Sequence, residues 1–312
     1  VQDEQLLEIL RAQIVEIVRE DAFISNFIRR SAHNSFIITS AGETLEDCVR
    51  AIAQMVRAGS FKPTLSEVWF GENRDAGDEH LGEYKLALPD GRLLALDGKI
   101  DRLDIANLDG EKIAVVFDYK RKAKSFSWPQ LYYGLDMQLP IYMLAVKNTS
   151  NPQCKVQNVA GAFYMPIEIS PAKTTLDELS GKTERFNYKA KGIFNGKFFR
   201  QLDGKASRDS KFYNFYVTKD DEPYGNYGRS GALKPNDFEK VLQFTERKII
   251  ELAEEILSGK IDVRPYRLSG KSPCSYCKYK SLCRFDWQIN DYNFLESLNK
   301  LQVLDDTGTA DG

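Results

Sequence analysis

The segment that most constrains this 312-residue chain is Ile113-Ala114-Val115-Val116-Phe117-Asp118-Tyr119-Lys120. Five apolar residues, two of them adjacent valines, are too few for a core helix and suit a strand covered on both faces. A strand of that kind needs packing layers above and below it, so the expected fold class is α/β, a mixed or antiparallel central sheet built from consecutive hairpins and flanked by helices. The strand also ends abruptly in charge. Upstream, GKIDRLDI reads as a second strand, joined to the first by Asn107-Leu108-Asp109-Gly110, whose Asp-Gly pair is a hairpin signal.

Alternation along a strand puts Asp118 and Lys120 on one face and Tyr119 on the other. Antiparallel pairing across the hairpin brings Asp101 beside Asp118. Two carboxylates and an ammonium then converge where a hard, oxygen-seeking cation such as Mg²⁺ or Mn²⁺ would sit, the arrangement used to hydrolyse a phosphodiester. Gln138 and Tyr142, four residues apart, share one face of a following helix and can reach the same place. With 43 basic and 45 acidic residues the net charge is −2, which excludes a wholly basic nucleic-acid coat protein. Any DNA path must be local: Arg121, Lys122 and Lys124 follow the charged strand end, then Phe126, Trp128, Tyr132 and Tyr133, a mix suited to phosphates and unstacked bases. Lys189 to Arg200, with Phe194, Phe198 and Phe199, is a second such stretch.

Around this centre the periodicity predicts a helical region over 1–60, with one amphipathic stretch through Leu6–Ile17 and another beginning near Thr44 and ending at Gly59. A strand-rich core is expected over 61–170, including RLLALDGKIDRLDI as one strand and a helix over 128–147. A polar insertion spans 171–235. A helix and cysteine segment follow over 236–292, with Asp237 as N-cap, and residues 293–312 hold a short helix and then a tail, DDTGTADG. No apolar run approaches the roughly 18 residues of a membrane helix.

Five cysteines, an odd number, and an acidic N-terminus without a signal-peptide profile read as a cytoplasmic protein with reduced thiols. Cys274, Cys277 and Cys283 cluster in a Cys-x2-Cys-x5-Cys pattern. Three soft ligands on one loop suit zinc or an iron–sulfur cluster, both of which need a fourth, and the only histidines, His33 and His80, are far upstream.

Taken in order, GKIDRLDI, VVFDYKRKAKSF, YYGLDMQLPIY, GAFYMPI and RPYRLSGKSPCSYCKYKSLCRFD resemble the RecB-like, AddB-type branch of the PD-(D/E)xK nuclease superfamily. The resemblance implies a restriction-endonuclease-like core and Mg-dependent hydrolysis of single-stranded DNA unwound by a helicase-nuclease subunit of AddA type, in double-strand-break repair by recombination. It implies that Asp101, Asp118 and the backbone carbonyl of Tyr119 hold the metal, that Lys120 is the catalytic lysine, that Gln138 and Tyr142 shape the site, and that Glu67 is an accessory acid on an early strand. It also implies a 4Fe-4S cluster on Cys274, Cys277, Cys283 and a remote upstream cysteine. Neither that cysteine nor its accompanying histidine motif is recognisable here, so the chain reads as a C-terminal fragment in which the cluster is incomplete or absent. Two competing readings are a catalytically inactive nuclease-fold module that binds DNA or docks a helicase, and a stand-alone CRISPR-adaptation exonuclease. The intact Asp-x-Lys argues against the first, the long insertion and the YYGLDMQLPIY wording against the second.

Overall fold

The apolar run ending at Phe117 forms the middle of β5 (Glu111–Lys120), an inner strand of a six-stranded mixed sheet of order β1-β4-β5-β6-β7-β8. The computed structural model describes residues 3–72, 80–169 and 188–308. β1 (Lys62–Phe70), β4 (Gly98–Leu108) and β5 are antiparallel neighbours. β6 (Asn158–Pro166) runs parallel to β5, β7 (Lys191–Asn195) antiparallel to β6, and the short β8 (Ala232–Leu233) parallel to β7. A parallel neighbour demands a crossover, and the chain makes it through α4 (Trp128–Tyr132) and α5 (Gln138–Lys147).

The sheet separates two cores. On the front face Ala114, Val116, Ala162 and Tyr164 pack against Leu139 and Met143 of α5, Phe238 and Val241 of α7 (Pro235–Leu257) and Leu304 of α9 (Lys300–Gly308). On the back face Val115, Phe117, Phe163 and Met165 pack against Cys48, Ala51 and Met55 of the N-terminal helical region. That region is three helices: α1 (Asp3–Glu20), α2 (Ala22–Arg30) and α3 (Ala32–Ala58). The breaks are chemical. Asp21 accepts from the amides of Phe23 and Ile24, and Ser31 accepts from that of Asn34, each satisfying orphan N–H groups of a new helix. The helix expected to begin near Thr44 therefore starts twelve residues earlier, at Ala32.

Other expectations are also corrected. RLLALDGKIDRLDI is two strands: β3 (Leu93–Leu96) pairs with β2 (Tyr84–Ala87) as a separate hairpin, and β4 begins after Asp97. The 128–147 helix is broken at Gly134, whose φ of 69° lies in the left-handed region that a residue with a Cβ resists. Lys234, ahead of Pro235, caps α7 in place of Asp237. Of the polar insertion, 171–187 lies outside the described residues. From residue 188 it forms β7, α6 (Phe199–Leu202) and β8, and Gly192 passes so close to Ala162 that a Cβ would lie 1.9 Å from its carbonyl oxygen. The cysteine segment carries the single turn α8 (Lys280–Cys283) and β9 (Tyr266–Leu268), which pairs in parallel with β10 (Asn293–Leu295) from the stretch expected as short helix and tail. Asp305–Gly308, expected as tail, belong to α9, and residues 309–312 lie outside the described residues. Among the described residues no helix is long and apolar enough to cross a membrane.

Lys300 fixes α9 to the sheet. It is 1% exposed, and its Nζ donates to the carbonyls of Tyr227, Ser230 and Ala232 at 2.9, 3.0 and 2.7 Å. Three acceptors match the three N–H bonds of an ammonium. Lys300→Met leaves those carbonyls unmatched in a dry site, and is expected to lower the unfolding free energy by about 3 kcal/mol, read from the urea midpoint.

Candidate active site at the ends of β4 and β5

Regular alternation fails in β1 and β4 near Asp101, as it also does in β6, where Val159, Ala162 and Tyr164 all reach the front core. In β1, Leu65 and then Val68 and Phe70 all reach the front core, and in β4 both Ile100 and Leu103 do. The pleat therefore slips by one residue in each strand. Glu67, at the centre of the slip in β1, has φ 58°, and the flanking pairs Ser66↔Arg102 and Val68↔Ile100 set it opposite Asp101. Irregularities of this kind re-aim side chains beside functional sites. The β4–β5 ladder runs from Leu108↔Glu111 to Arg102↔Phe117 and stops. One step further Asp101 faces Asp118, and Asp101 Oδ2 accepts a hydrogen bond from the backbone amide of Tyr119 at 2.7 Å.

Asp118 is 2% exposed. Gln138, the first residue of α5, donates from Nε2 to Asp118 Oδ1 at 2.8 Å and to the Tyr142 hydroxyl at 2.9 Å. Asp118 Oδ2 stands 2.5 Å from Lys120 Nζ, and among the described residues no well-directed hydrogen bond reaches it. Burial is the main force on this carboxyl and raises its pKa; Lys120 pulls the other way and Asp101 adds to the rise. Burial likewise raises the phenols of Tyr142 and Tyr164, which remain protonated. The expected alternation is present: Asp118 and Lys120 meet on the front face, and the Tyr119 hydroxyl turns to the back, where it accepts from Arg102 at 2.6 Å.

The structure does not gather every expected residue here. Glu67 pairs with Lys99 on the exposed side of β1. Arg121 is paired with Glu168 at 2.8 Å yet stays largely exposed, and Lys122 is exposed. Lys124 binds Asp136 at 2.7 Å and lies 4.2 Å above the Tyr164 ring. Tyr132 stacks on Phe244 and bonds Asp306, so its ring is already used by the fold. In the second basic stretch Phe194 and Phe198 are buried, and Lys189 and Arg200 are paired with Asp209 and Asp221. Two residues to which the sequence pattern did not point border the site: Tyr164, Asp118's partner in the β5–β6 ladder, and Asp136, which accepts from the Tyr164 hydroxyl at 3.3 Å. Asp136 in LDMQ, two residues before Gln138, carried a usable signal as an acid at a helix start.

No three His, Cys, Asp or Glu side chains gather as a metal-binding group among the described residues. Two carboxylates with a buried, unbonded oxygen nevertheless fit a Mg²⁺-like ion, which takes one or two carboxylates and completes its shell with water and phosphate. The cysteines fit less well. Cys274, Cys277 and Cys283 line one cavity of about 840 Å³ beside Ser127, Pro129 and Gln130, but Cys48 and Cys154 are buried in the back and front cores respectively. From this chain the cavity has three thiols where a 4Fe-4S cluster needs four.

A mixed sheet whose inner strand ends in Asp-x-Lys, with a second aspartate delivered by the adjoining hairpin strand, defines a nuclease class, and the chain belongs to the PD-(D/E)XK nuclease superfamily, whose family model matches residues 2–284. It is similar to proteins named as the B-subunit of ATP-dependent helicase/deoxyribonuclease: 29% identical over 288 residues to that of Clostridium botulinum strain Hall (90% of this chain, 24% of the relative), 30% over 299 residues to that of Natranaerobius thermophilus (92% and 24%), and 30% over 289 residues to that of Clostridium acetobutylicum (89% and 24%). The chain thus spans about a quarter of the length of the curated relatives it matches.

Because the folded pKa of Asp118 lies above its unfolded value, its contribution to stability is full below about pH 4 and is lost as pH rises through the folded pKa. Asp118→Asn is therefore expected to raise the thermal midpoint of the metal-free protein at pH 7, with the gain vanishing in acid; calorimetry at both pH values checks this. For the cysteines, anaerobically purified chain is expected to hold well under one cluster per molecule by iron assay, whereas stoichiometric iron would mean that Cys48 or Cys154 leaves its core to serve as fourth ligand.

Proposed function

We propose that the chain is a divalent-cation-dependent deoxyribonuclease that hydrolyses single-stranded DNA supplied by a helicase-nuclease subunit of AddA type, in cytoplasmic repair of double-strand breaks by recombination. The observation that carries this reading is the meeting of Asp101, Asp118 and Lys120 at the open ends of β4 and β5, with Asp118 Oδ2 buried and paired with Lys120. The relatives' name, which makes each of them one member of a helicase/deoxyribonuclease assembly, supports both the chemistry and a partner.

Asp101, Asp118 and the carbonyl of Tyr119 would hold the cation, Mg²⁺ or Mn²⁺, which when bound polarises the phosphate and acidifies a water molecule. The protein's own groups do the rest. The Tyr119 amide restrains the Asp101 carboxylate, and Gln138 occupies Asp118 Oδ1, leaving Oδ2, beside Lys120, as the oxygen for an ion. Tyr142 accepts from Gln138 and so fixes the amide's direction. Lys120, partly exposed at the mouth of the site, orients the attacking water and offsets negative charge as it builds on the phosphate. Water adds across the phosphodiester: its oxygen bonds phosphorus, one sugar–oxygen link to phosphorus breaks, and the departing oxygen is protonated. Arg121, Lys122 and Lys124 border the strand end and would track the DNA backbone, giving a binding constant that falls with salt.

Labelled single strands incubated with the chain and Mg²⁺ should be degraded, and chelation should stop the reaction. Asp118→Ala and Lys120→Ala should each lower the rate by at least about 100-fold with the circular dichroism spectrum preserved. Equal rates for wild type and both variants would rule out the assigned chemistry.

A further inference from the structure

Behind the site, in the core packed by α3, lies a closed polar network. Arg102 and Asp104 are 6% and 2% exposed. Arg102 donates from Nε and Nη2 to the two oxygens of Asp104 at 2.8 and 3.1 Å, and from Nη1 to the Tyr119 hydroxyl at 2.6 Å. Its guanidinium also lies 4.1 Å from the centre of the Phe117 ring. Burying such a pair strips water from two charges, and apolar side chains of similar volume often hold a core as well or better. The network offers one thing an apolar pair could not, a directional grip on Tyr119.

Tyr119 joins the two faces. Its hydroxyl is held from behind by Arg102, and its amide, just past the last β4–β5 ladder pair, holds Asp101. The grip falls where regular pairing gives out: the β4–β5 ladder ends at Arg102↔Phe117, and the pleat of β4 slips between Ile100 and Leu103. Beyond that step the peptide of Tyr119 and the carboxylate of Asp101 are tied by side-chain bonds, and one anchor reaches through the sheet.

We propose that Arg102 and Asp104 are positioning residues that act through Tyr119, from the opposite face of the sheet, to set the direction of the Asp101 carboxylate and the Tyr119 carbonyl and thereby the affinity for the divalent cation. The inference rests on the reading of Asp101 and Asp118 as a cation site. A purely structural ion pair would affect stability alone; a positioning pair affects cation binding even where stability is kept.

The test uses the double variant Arg102→Met/Asp104→Leu, which removes both charges together, and Tyr119→Phe, which deletes only the hydroxyl. Mn²⁺ binding is measured calorimetrically without DNA, beside thermal unfolding of the metal-free protein. Positioning predicts a thermal midpoint at or above that of wild type for the double variant and a Mn²⁺ dissociation constant weaker by roughly 10–100-fold, the range found for groups that orient metal ligands, with a smaller loss in the same direction for Tyr119→Phe. Wild-type affinity in a folded double variant, or in Tyr119→Phe, overturns the inference. A wild-type chain that binds Mn²⁺ but cuts no DNA overturns the nuclease reading, while the affinity losses would still support positioning. A wild-type chain without Mn²⁺ binding overturns both.

Discussion

A carboxylate held almost wholly out of water is the constraint around which this molecule is arranged. Asp118 is at the end of a strand whose preceding residues are buried on both faces, so it cannot retreat into solvent without pulling β5 from the sheet. Its two oxygens meet different neighbours: Oδ1 accepts from Gln138, and Oδ2 faces the ammonium of Lys120. An ionised group in that position is costly unless paired, and each feature of the crossover between β5 and β6 serves the pairing. The chain turns over the strand end, breaks at Gly134, and restarts helix at Gln138, which sets that side chain over the carboxylate.

The second aspartate is held by a different device. Asp101 belongs to the stretch of β4 where pleating slips, and the slip is matched in β1 by a left-handed backbone at Glu67. A regular strand pair would continue its ladder to the sheet edge and spend the Tyr119 amide on a backbone carbonyl. Here the amide serves a carboxylate. Local irregularity thus replaces a ladder hydrogen bond with one to a side chain, and Arg102, paired with Asp104, holds the Tyr119 hydroxyl on the other face.

Much of this was legible in the residues. Strand alternation placed Asp118 and Lys120 together because β5 is regular, and the Asp109-Gly110 turn delivered Asp101 because a two-residue hairpin fixes register. Gln138 and Tyr142 were legible from helical spacing. What escaped depends on tertiary context. No sequence signal singled out Arg102 and Asp104, since nothing local says that α3 will cover that face. The break at Gly134 is a single residue inside an apolar pattern that otherwise continues as helix. Tyr132 carries the composition of a base-stacking residue, but Phe244, more than a hundred positions away, claims its ring. Glu67 could be placed on its strand by pattern, whereas its pairing with Lys99 follows from a backbone conformation that the sequence does not advertise.

The restart of the chain at Gln138 has an electrostatic consequence. The ten-residue α5 begins beside Asp118, so its aligned peptide dipoles present the equivalent of about half a positive charge to the two aspartates. The pocket thus carries a fixed background potential that partly offsets their mutual repulsion before any ion arrives. That background belongs to the backbone, and no side-chain substitution in the pocket can remove it while the helix stands.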